Sequence, residues 1–153
     1  MKRIDVVELL YKAAGSPAPA EKQKFTDVKA NDAVAWAAAN GITRGYTDGS
    51  FKPDRMVTRQ DFACFFMRYD EWKNAQHSQP QALLAKPVSG INNIVDYNCI
   101  NKFADSDAVS SYAVDSICLM VKRGLLTGDN QSRLMPLDFI SKSQAAAILN
   151  RMN

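Results

Sequence analysis

Residues 40–69 read NGITRGYTDGSFKPDRMVTRQDFACFFMRY, a glycine-bounded loop followed by a helix with an apolar stripe. Parts of this stretch recur twice elsewhere in the chain. The helix that begins at Arg59 has counterparts that begin at Arg3 and at Lys142, each with a second cation nine residues further on. A chain built from one repeated helix–loop–helix unit folds as an array, so the sequence predicts an all-α fold.

The repeats are unequal in length and completeness. We predict a single domain over residues 1–153, in which residues 1–19 are the second half of repeat 1 and residues 25–72 are repeat 2. Residues 103–153 form a divergent repeat 3, and residues 74–102 form an insertion or linker. The first copy lacks its loop and first helix, so we expect the chain to be a piece cut from a longer protein.

The segment of residues 74–102 differs in composition from the repeats. It contains few charges, and apolar side chains recur along it. Since such side chains favour burial, we expect an ordered insertion that packs on the domain. They are Leu83, Leu84, Ile91, Ile94 and Val95.

Five helices follow from the apolar periodicity and from signals at the helix ends. Thr58 and Ser141 are typical N-cap residues, and Gly15, Gly41 and Gly124 stand where helices end. The predicted helices cover about residues 3–14, 31–40, 58–74, 111–123 and 141–151.

Composition and charge exclude several classes of function. The chain of 153 residues is 46% hydrophobic and 23% charged, which suits one compact domain. A net charge of +3 is too small to indicate nucleic-acid binding, although it slightly favours an acidic partner. No apolar run is long enough to insert into a membrane, and Asp5 and Glu8 interrupt the start, so a secretion signal would lie outside this chain.

No pattern indicates catalysis, a cofactor or a metal. The one histidine, His77, has no nucleophile in a recognisable context, so we predict that the chain is not an enzyme. The three cysteines cannot all pair internally, and their spacing does not resemble a zinc site. Cys64 and Cys118 lie in apolar helical stretches, which predicts buried free thiols at both positions.

The cation at the start of each repeated helix calls for an explanation. Thr58 to Asp61 and Ser141 to Gln144 are capping boxes, and capping accounts for the hydroxyl and for the acid or amide. It does not account for Arg59, Lys142 or Arg3, because a cation there opposes the helix dipole. Two interpretations stay open: the cation and the free helix N–H groups bind an anion, or the cation pairs with an acid of a neighbouring repeat such as Asp27 or Asp105.

The composite motif resembles that of the S-layer homology domains of bacterial cell-surface proteins. The family pattern of Phe-x-Asp-Val, a helix ending Gly-Ile, Gly-Tyr-x-Asp-Gly-x-Phe-x-Pro and Thr-Arg-x-Glu/Gln is met nearly throughout in this chain. The matching segments are Phe25–Val28, Gly41–Ile42, Gly45–Pro53 and Thr58–Asp61. The resemblance covers residues 1–72 strongly and residues 103–153 weakly.

The resemblance implies an architecture and a ligand. Three second helices would form a pseudo-threefold central bundle, with the first helices as prongs. Grooves between the repeats would hold secondary cell wall polysaccharide, typically a pyruvylated amino sugar. The chain would then act outside the cell, at the wall of a Gram-positive-type bacterium. The half-repeat also allows an oligomer, in which another chain completes the first repeat.

Candidate ligand-binding residues follow from this chemistry. Arg59 would meet the ketal carboxylate, with Arg3 and Lys142 as its equivalents in the other copies. Trp36 or Tyr46 would stack on a sugar face, although helical spacing favours a core position for Trp36. Gly45 and Gly49 would let the backbone approach the ligand, and Asp48 is either a ligand contact or the residue that the Asp-Gly turn requires.

The third copy favours a second interpretation. It carries Asp129–Arg133 in place of the Tyr-x-Asp-Gly loop, and Lys142 lacks the planar fork of an arginine. The middle copy is therefore the most family-like. The alternative function is a structural or protein–protein interaction module whose degenerate repeats no longer bind sugar.

Overall fold

The computed structural model describes residues 1–22, 24–77 and 98–152. Over these residues the chain is helical and contains no β-strand, only two isolated β-bridges. Short 3-10 turns at Ser106–Ala108 and Ser111–Ala113 lead into the fifth helix. The helices are α1 (Arg3–Ala13), α2 (Asp32–Ala39), α3 (Arg59–His77), α4 (Asn98–Asn101), α5 (Val114–Lys122) and α6 (Lys142–Asn150). The all-α prediction is confirmed for this part of the chain.

Local signals set most of the helix starts. The Asn31 side chain accepts the backbone N–H of Val34 at 3.0 Å and caps α2. Ser141 and Gln144 form the predicted reciprocal capping box at the start of α6, with distances of 3.0 and 3.1 Å. The Thr58 hydroxyl caps α3 by accepting the Asp61 N–H at 3.2 Å.

Two helices differ from their predicted extent. α3 continues to His77 because the residues after Asn74 include Ala75 and Gln76, which are good helix formers. α5 begins only at Val114, since the preceding residues form the 3-10 turn at Ser111–Ala113.

The insertion is described at its two ends. Its first residues continue α3, and its last residues form α4, which contacts α5. Ile100 in α4 is 6% exposed, so this end packs on the domain as predicted. The predicted burial of Leu83 to Val95 lies outside the described residues.

The cysteine prediction holds at one position and is wrong at the other. Cys64 is a buried free thiol. Cys118 instead forms a disulfide with Cys99, and their Cα atoms lie 5.6 Å apart. The pairing arises because α4 folds back onto α5, and no spacing rule in the sequence reports that contact.

An acidic residue closes each of the two complete loops. The carboxylate of Asp27 accepts the backbone N–H groups of Phe51 and Lys52 at 2.7 and 2.8 Å. Asp105 holds the third repeat's loop in the same way, by accepting two N–H groups at 2.7 Å each. The donors in that loop are Leu134 and Met135. These acids therefore stabilise the loops that follow them in the same repeat.

Three segments that precede α1, α3 and α6 are joined in a closed ring of backbone hydrogen bonds. Val57 donates to the carbonyl of Met1, and Ile140 donates to the carbonyl of Val57, both at 3.0 Å. The amino group of Met1 donates to the carbonyl of Ile140 at 2.7 Å and completes the ring. The starts of the three helices therefore lie close together.

Candidate functional site

A cavity of about 300 Å³ lies between the start of α1, the loop after α2 and one side of α3. It brings together three residues that the sequence singles out, Arg3, Gly45 and Tyr46. We call it the Arg3 cavity. Its other lining residues are Thr43, Arg44, Asp61, Cys64, Phe65, Arg68 and Tyr112.

The Arg3 guanidinium is held in place by a carbonyl and by aromatic rings. Its Nε donates to the carbonyl oxygen of Phe51 at 2.9 Å, and its Cζ lies 5.0 Å from the centre of the Tyr46 ring. Burial lowers the pKa of Arg3, but a guanidinium remains charged at neutral pH. Among the described residues no carboxylate forms an ion pair with it. The cavity thus contains a fixed positive charge that is available to an anion.

Tyr46 forms one wall of this cavity and is surrounded by cations. Its hydroxyl accepts a hydrogen bond from Arg55 at 2.6 Å, and the ammonium group of Lys52 lies 4.2 Å from its ring centre. The Arg3 guanidinium also lies against this half-buried ring. Tyr46 therefore contacts three cations, which its ring attracts through cation–π interactions and its hydroxyl through a hydrogen bond.

The two glycines and the aspartate of this loop serve the turn. Gly45 has φ +67°, and an added Cβ would overlap the Phe25 ring and lie 2.7 Å from the carbonyl of Ser50. Gly49 is exposed with φ +79°. The Asp48 carboxylate accepts the Ser50 hydroxyl and N–H, and the hydroxyl contact lowers the pKa of Asp48. The turn-forming interpretation of Asp48 is confirmed by these contacts.

Two further cavities repeat the same helix positions. The Arg59 cavity, of about 180 Å³, is lined by Arg59, Gly128, Gln144 and Arg151 among others. The Lys142 cavity, of about 150 Å³, is lined by Met1, Asp5, Glu8, Leu9, Lys12 and Lys142. In the Arg59 cavity, Arg59 at the start of α3 lies opposite Arg151, the second cation of the last repeated helix. In the Lys142 cavity, Lys142 at the start of α6 lies opposite Lys12, the second cation of α1.

The three cavities differ in charge. The Arg3 cavity has three arginines and one carboxylate, and the Arg59 cavity has two arginines and no carboxylate. In the Lys142 cavity two lysines face two carboxylates, and Lys142 pairs with Asp5 at 2.7 Å. The hydrogen bond from Lys142 lowers the pKa of Asp5. The first two cavities therefore favour an anion, whereas in the third Lys142 is already paired with an acid.

Arg59 lies away from the loop with which the sequence groups it. Its Nε donates to the carbonyl of Leu134 in the third repeat at 2.8 Å, as Arg3 donates to Phe51 in the second. Each loop therefore crosses the start of the preceding repeat's second helix. The pairing of Arg59 with Tyr46 in one site is corrected, since Arg3 takes that place.

The start of α3 also differs from both sequence interpretations. Its N–H groups are not free. The backbone N–H of Arg59 donates to the carbonyl oxygen of Asp138 at 2.9 Å, and the backbone N–H of Gln60 donates to the carbonyl oxygen of Pro136 at 3.0 Å. Among the described residues Arg59 forms no ion pair with Asp27 or Asp105. The contact between repeats is made to a carbonyl oxygen, which leaves part of the guanidinium for other partners.

Trp36 is a core residue in the structure. It is 2% exposed, and its ring lies against those of Tyr11, Tyr69 and Trp72 at centroid distances of 5.6, 6.5 and 5.1 Å. A ring enclosed in this way offers no face to a sugar. The core interpretation of Trp36 is therefore the one that fits its position.

Sequence reasoning singled out only Arg3, Gly45 and Tyr46 as ligand-binding residues among those that line the Arg3 cavity, and it missed Arg68 and Tyr112 among others. Arg68 is the second cation of its helix, and the nine-residue spacing from Arg59 contains the signal that finds it. Tyr112 comes from the third repeat, and no local pattern in the sequence connects it with this cavity.

The described residues contain neither a metal-ligand cluster nor a membrane-spanning helix. No group of three or more potential metal-ligating side chains occurs among them. Within the same residues, no helix combines the length and the apolar character needed to cross a bilayer.

Comparison with known proteins shows the family to which the chain belongs. The S-layer homology domain family matches residues 24–63 and 102–146, which is more than half of the chain. Cell surface glycoprotein 1 of Acetivibrio thermocellus is similar, with 28% identity over 120 residues, covering 78% of this chain. The chain spans 5% of that protein's length. The chain belongs to the S-layer homology domain family, a family of cell-surface anchoring modules.

Proposed function

We propose that this chain anchors its parent protein non-covalently to the cell wall by binding secondary cell wall polysaccharide in the Arg3 cavity. The observation that carries the proposal is the Arg3 guanidinium, which is fixed by Phe51 and Tyr46 and forms no ion pair with a carboxylate in the described part of the chain. The ligand would be a pyruvylated saccharide, and the site would lie outside the cell, at a Gram-positive-type wall.

A ketal carboxylate suits this cavity chemically. Arginine presents parallel N–H donors that match a carboxylate, and such charge-assisted hydrogen bonds are stronger than neutral ones. Arg3 uses its Nε for Phe51, so its terminal nitrogens remain for the ligand. Arg44 and Arg68 add positive charge to the same cavity and attract an anion at longer range.

The module would have a pseudo-threefold arrangement of one domain over residues 1–153. The ring of hydrogen bonds among Met1, Val57 and Ile140 supports it, because equivalent positions of the three copies meet there. The three related cavities support it as well. We expect the Arg59 cavity to be a second, weaker site, and Lys142 to contribute little because Asp5 neutralises it.

Binding to purified cell wall tests this function. Wild-type chain, Arg3→Ala, Arg59→Ala and the control Arg133→Ala are each mixed with wall that keeps its polysaccharide and with wall stripped of it. Arg133 is a suitable control because it pairs with Asp129 on the exposed loop and lines neither cavity. We expect retention only on wall with polysaccharide, a full loss for Arg3→Ala and a partial loss for Arg59→Ala. Equal retention on stripped wall would refute the proposal.

A protein–protein interaction module is the second candidate. Leu137 and Phe139 in the third loop are 57% and 62% exposed, so two large apolar side chains of one loop are open to a partner surface. If this loop contacts a partner protein, Phe139→Ser abolishes anchoring while Arg3→Ala does not. The wall experiment therefore separates the two functions when Phe139→Ser is added to its variants.

A further inference from the structure

Tyr112 combines an exposed ring with a fixed hydroxyl group. The residue is 61% exposed, yet its hydroxyl donates to the carboxylate of Asp61 at 2.7 Å. It also accepts a hydrogen bond from Nε2 of Gln60 at 3.2 Å. Burial of the hydroxyl, together with Asp61, raises the pKa of Tyr112 to about 12, so the group remains a donor at neutral pH.

The partner that holds Tyr112 is itself immobilised. Gln60 is 4% exposed, and its Oε1 accepts the backbone N–H of Ser110 at 2.9 Å. Its Nε2 also donates to the Ser110 hydroxyl at 3.0 Å. These contacts clamp the segment before α5 onto α3. The ring of Tyr112 is therefore oriented before any ligand arrives, which lowers the entropy lost on binding.

The Tyr112 ring lies at the Arg3 cavity. Tyr112 lines that cavity together with Arg3, although the two residues come from the third and the first repeat. The described residues that line the Arg59 and Lys142 cavities include no aromatic side chain. The Arg3 cavity thus combines a cation for an anion with an exposed aromatic face, as the other two do not.

We infer that Tyr112 is a specificity-determining residue that holds the pyranose ring of an acidic sugar while Arg3 holds its carboxylate. This inference rests on the proposed function of the cavity. The C–H groups of a pyranose ring pack on an aromatic face, and tyrosine offers a large rigid contact area. The cavity then distinguishes a sugar that bears an anion from a simple anion, because the latter has no ring to contact Tyr112.

Titration of two small probes tests the inference. The probes are a pyruvyl ketal of an amino sugar and free pyruvate, and the proteins are wild type, Tyr112→Ala, Tyr112→Phe and Arg3→Ala. We expect Tyr112→Ala to bind the ketal about tenfold more weakly, as for an aromatic hot spot. Tyr112→Phe keeps the ring and stays within about twofold of wild type, a difference well below that of a hot spot. Pyruvate binds wild type and Tyr112→Ala equally.

Four outcomes overturn the inference. Wild-type affinity of Tyr112→Ala for the ketal, with binding lost in Arg3→Ala, leaves the proposed function standing and removes Tyr112 from it. Equal weakening by Tyr112→Phe and Tyr112→Ala places the effect in the hydroxyl network. A parallel loss of pyruvate binding in Tyr112→Ala shows a disturbed cavity.

If Tyr112→Ala does not fold, Tyr112→Leu takes its place. Unchanged ketal binding in both Arg3→Ala and Tyr112→Ala refutes the inference and the proposed function together.

Discussion

The Nε atom of Arg3 donates a hydrogen bond to the carbonyl oxygen of Phe51 at 2.9 Å, across a boundary between two repeats. Because of this contact, the cation of the first repeat lies beside the loop of the second repeat. The contact turns the rest of the guanidinium toward Tyr46 and into the cavity. Because Arg59 makes the same contact with Leu134, the ligand chemistry of a repeat depends on the repeat before it.

Gly45 is expected to tolerate substitution much less well than Gly41. Both residues have positive φ, so an alanine costs each about 1–2 kcal/mol in backbone strain. At Gly41 an added Cβ meets nothing within 4 Å, whereas at Gly45 it overlaps Phe25. Overpacking adds about 1–3 kcal/mol to the cost at Gly45. Chemical unfolding measures both variants, and equal destabilisation of the two would contradict the packing at Phe25.

Asp27 is expected to make stability depend on pH in the acid range. Hydrogen bonds from Phe51 and then Lys52 hold the pKa of Asp27 below its ordinary value of 3.8. The unfolded chain therefore takes up the proton first, so the stability that Asp27 supplies is present above pH 3.8 and is lost as the pH falls through the folded pKa.

Unfolding of Asp27→Asn at a series of pH values checks this expectation. The variant is less stable than wild type near neutral pH, and the gap narrows below the ordinary pKa of 3.8. Asp107→Asn is the control, since Asp107 is exposed in a 3-10 turn and should give no gap. A gap that stays constant from about pH 5 to pH 2 would exclude the carboxylate as its source.

Reduction of the disulfide between Cys99 and Cys118 is expected to destabilise the fold. The bond closes a loop with a sequence separation of 19, for which chain entropy predicts about 3 kcal/mol of stabilisation. Thermal unfolding with and without reductant measures the effect. The double variant Cys99→Ser, Cys118→Ser should unfold at the same temperature in both conditions. A wild-type Tm that does not respond to reductant would argue against the bond.

Lys142→Ala is expected to have little effect on wall binding or on stability. Lys142 pairs with Asp5, but its side chain is 72% exposed. An exposed pair of this kind contributes less than about 1 kcal/mol. Retention on cell wall and chemical unfolding are the two measurements. A loss of retention comparable to that of Arg3→Ala would mean that the pair with Asp5 opens to admit a ligand.

Sequence reasoning recovers what is encoded locally. Helix starts at Asn31, Thr58 and Ser141 follow from caps whose hydrogen bonds span three residues, and the structure contains all three. The turn role of Asp48 is equally local. Such features can be predicted because the interacting groups are neighbours in the chain.

Contacts between distant segments account for what the sequence did not predict. Arg3 meets Phe51, Gln60 meets Ser110, and Cys99 meets Cys118, through folding back of loops and helices. The repeat pattern shows that equivalent cations exist, but it does not show that each faces the next repeat's loop. For this reason the sequence groups Arg59 with the loop of the middle repeat, whereas in the structure Arg3 lies beside that loop.

The most direct test of the account is a calorimetric titration of wild type and Arg3→Gln with two ligands. These are a pyruvyl ketal of an amino sugar and the same sugar without the ketal. The account predicts that wild type binds the ketal at least tenfold more tightly than the parent sugar, about 1.4 kcal/mol, and that Arg3→Gln binds the two equally. Equal affinities in wild type, or an undiminished preference in Arg3→Gln, would contradict it.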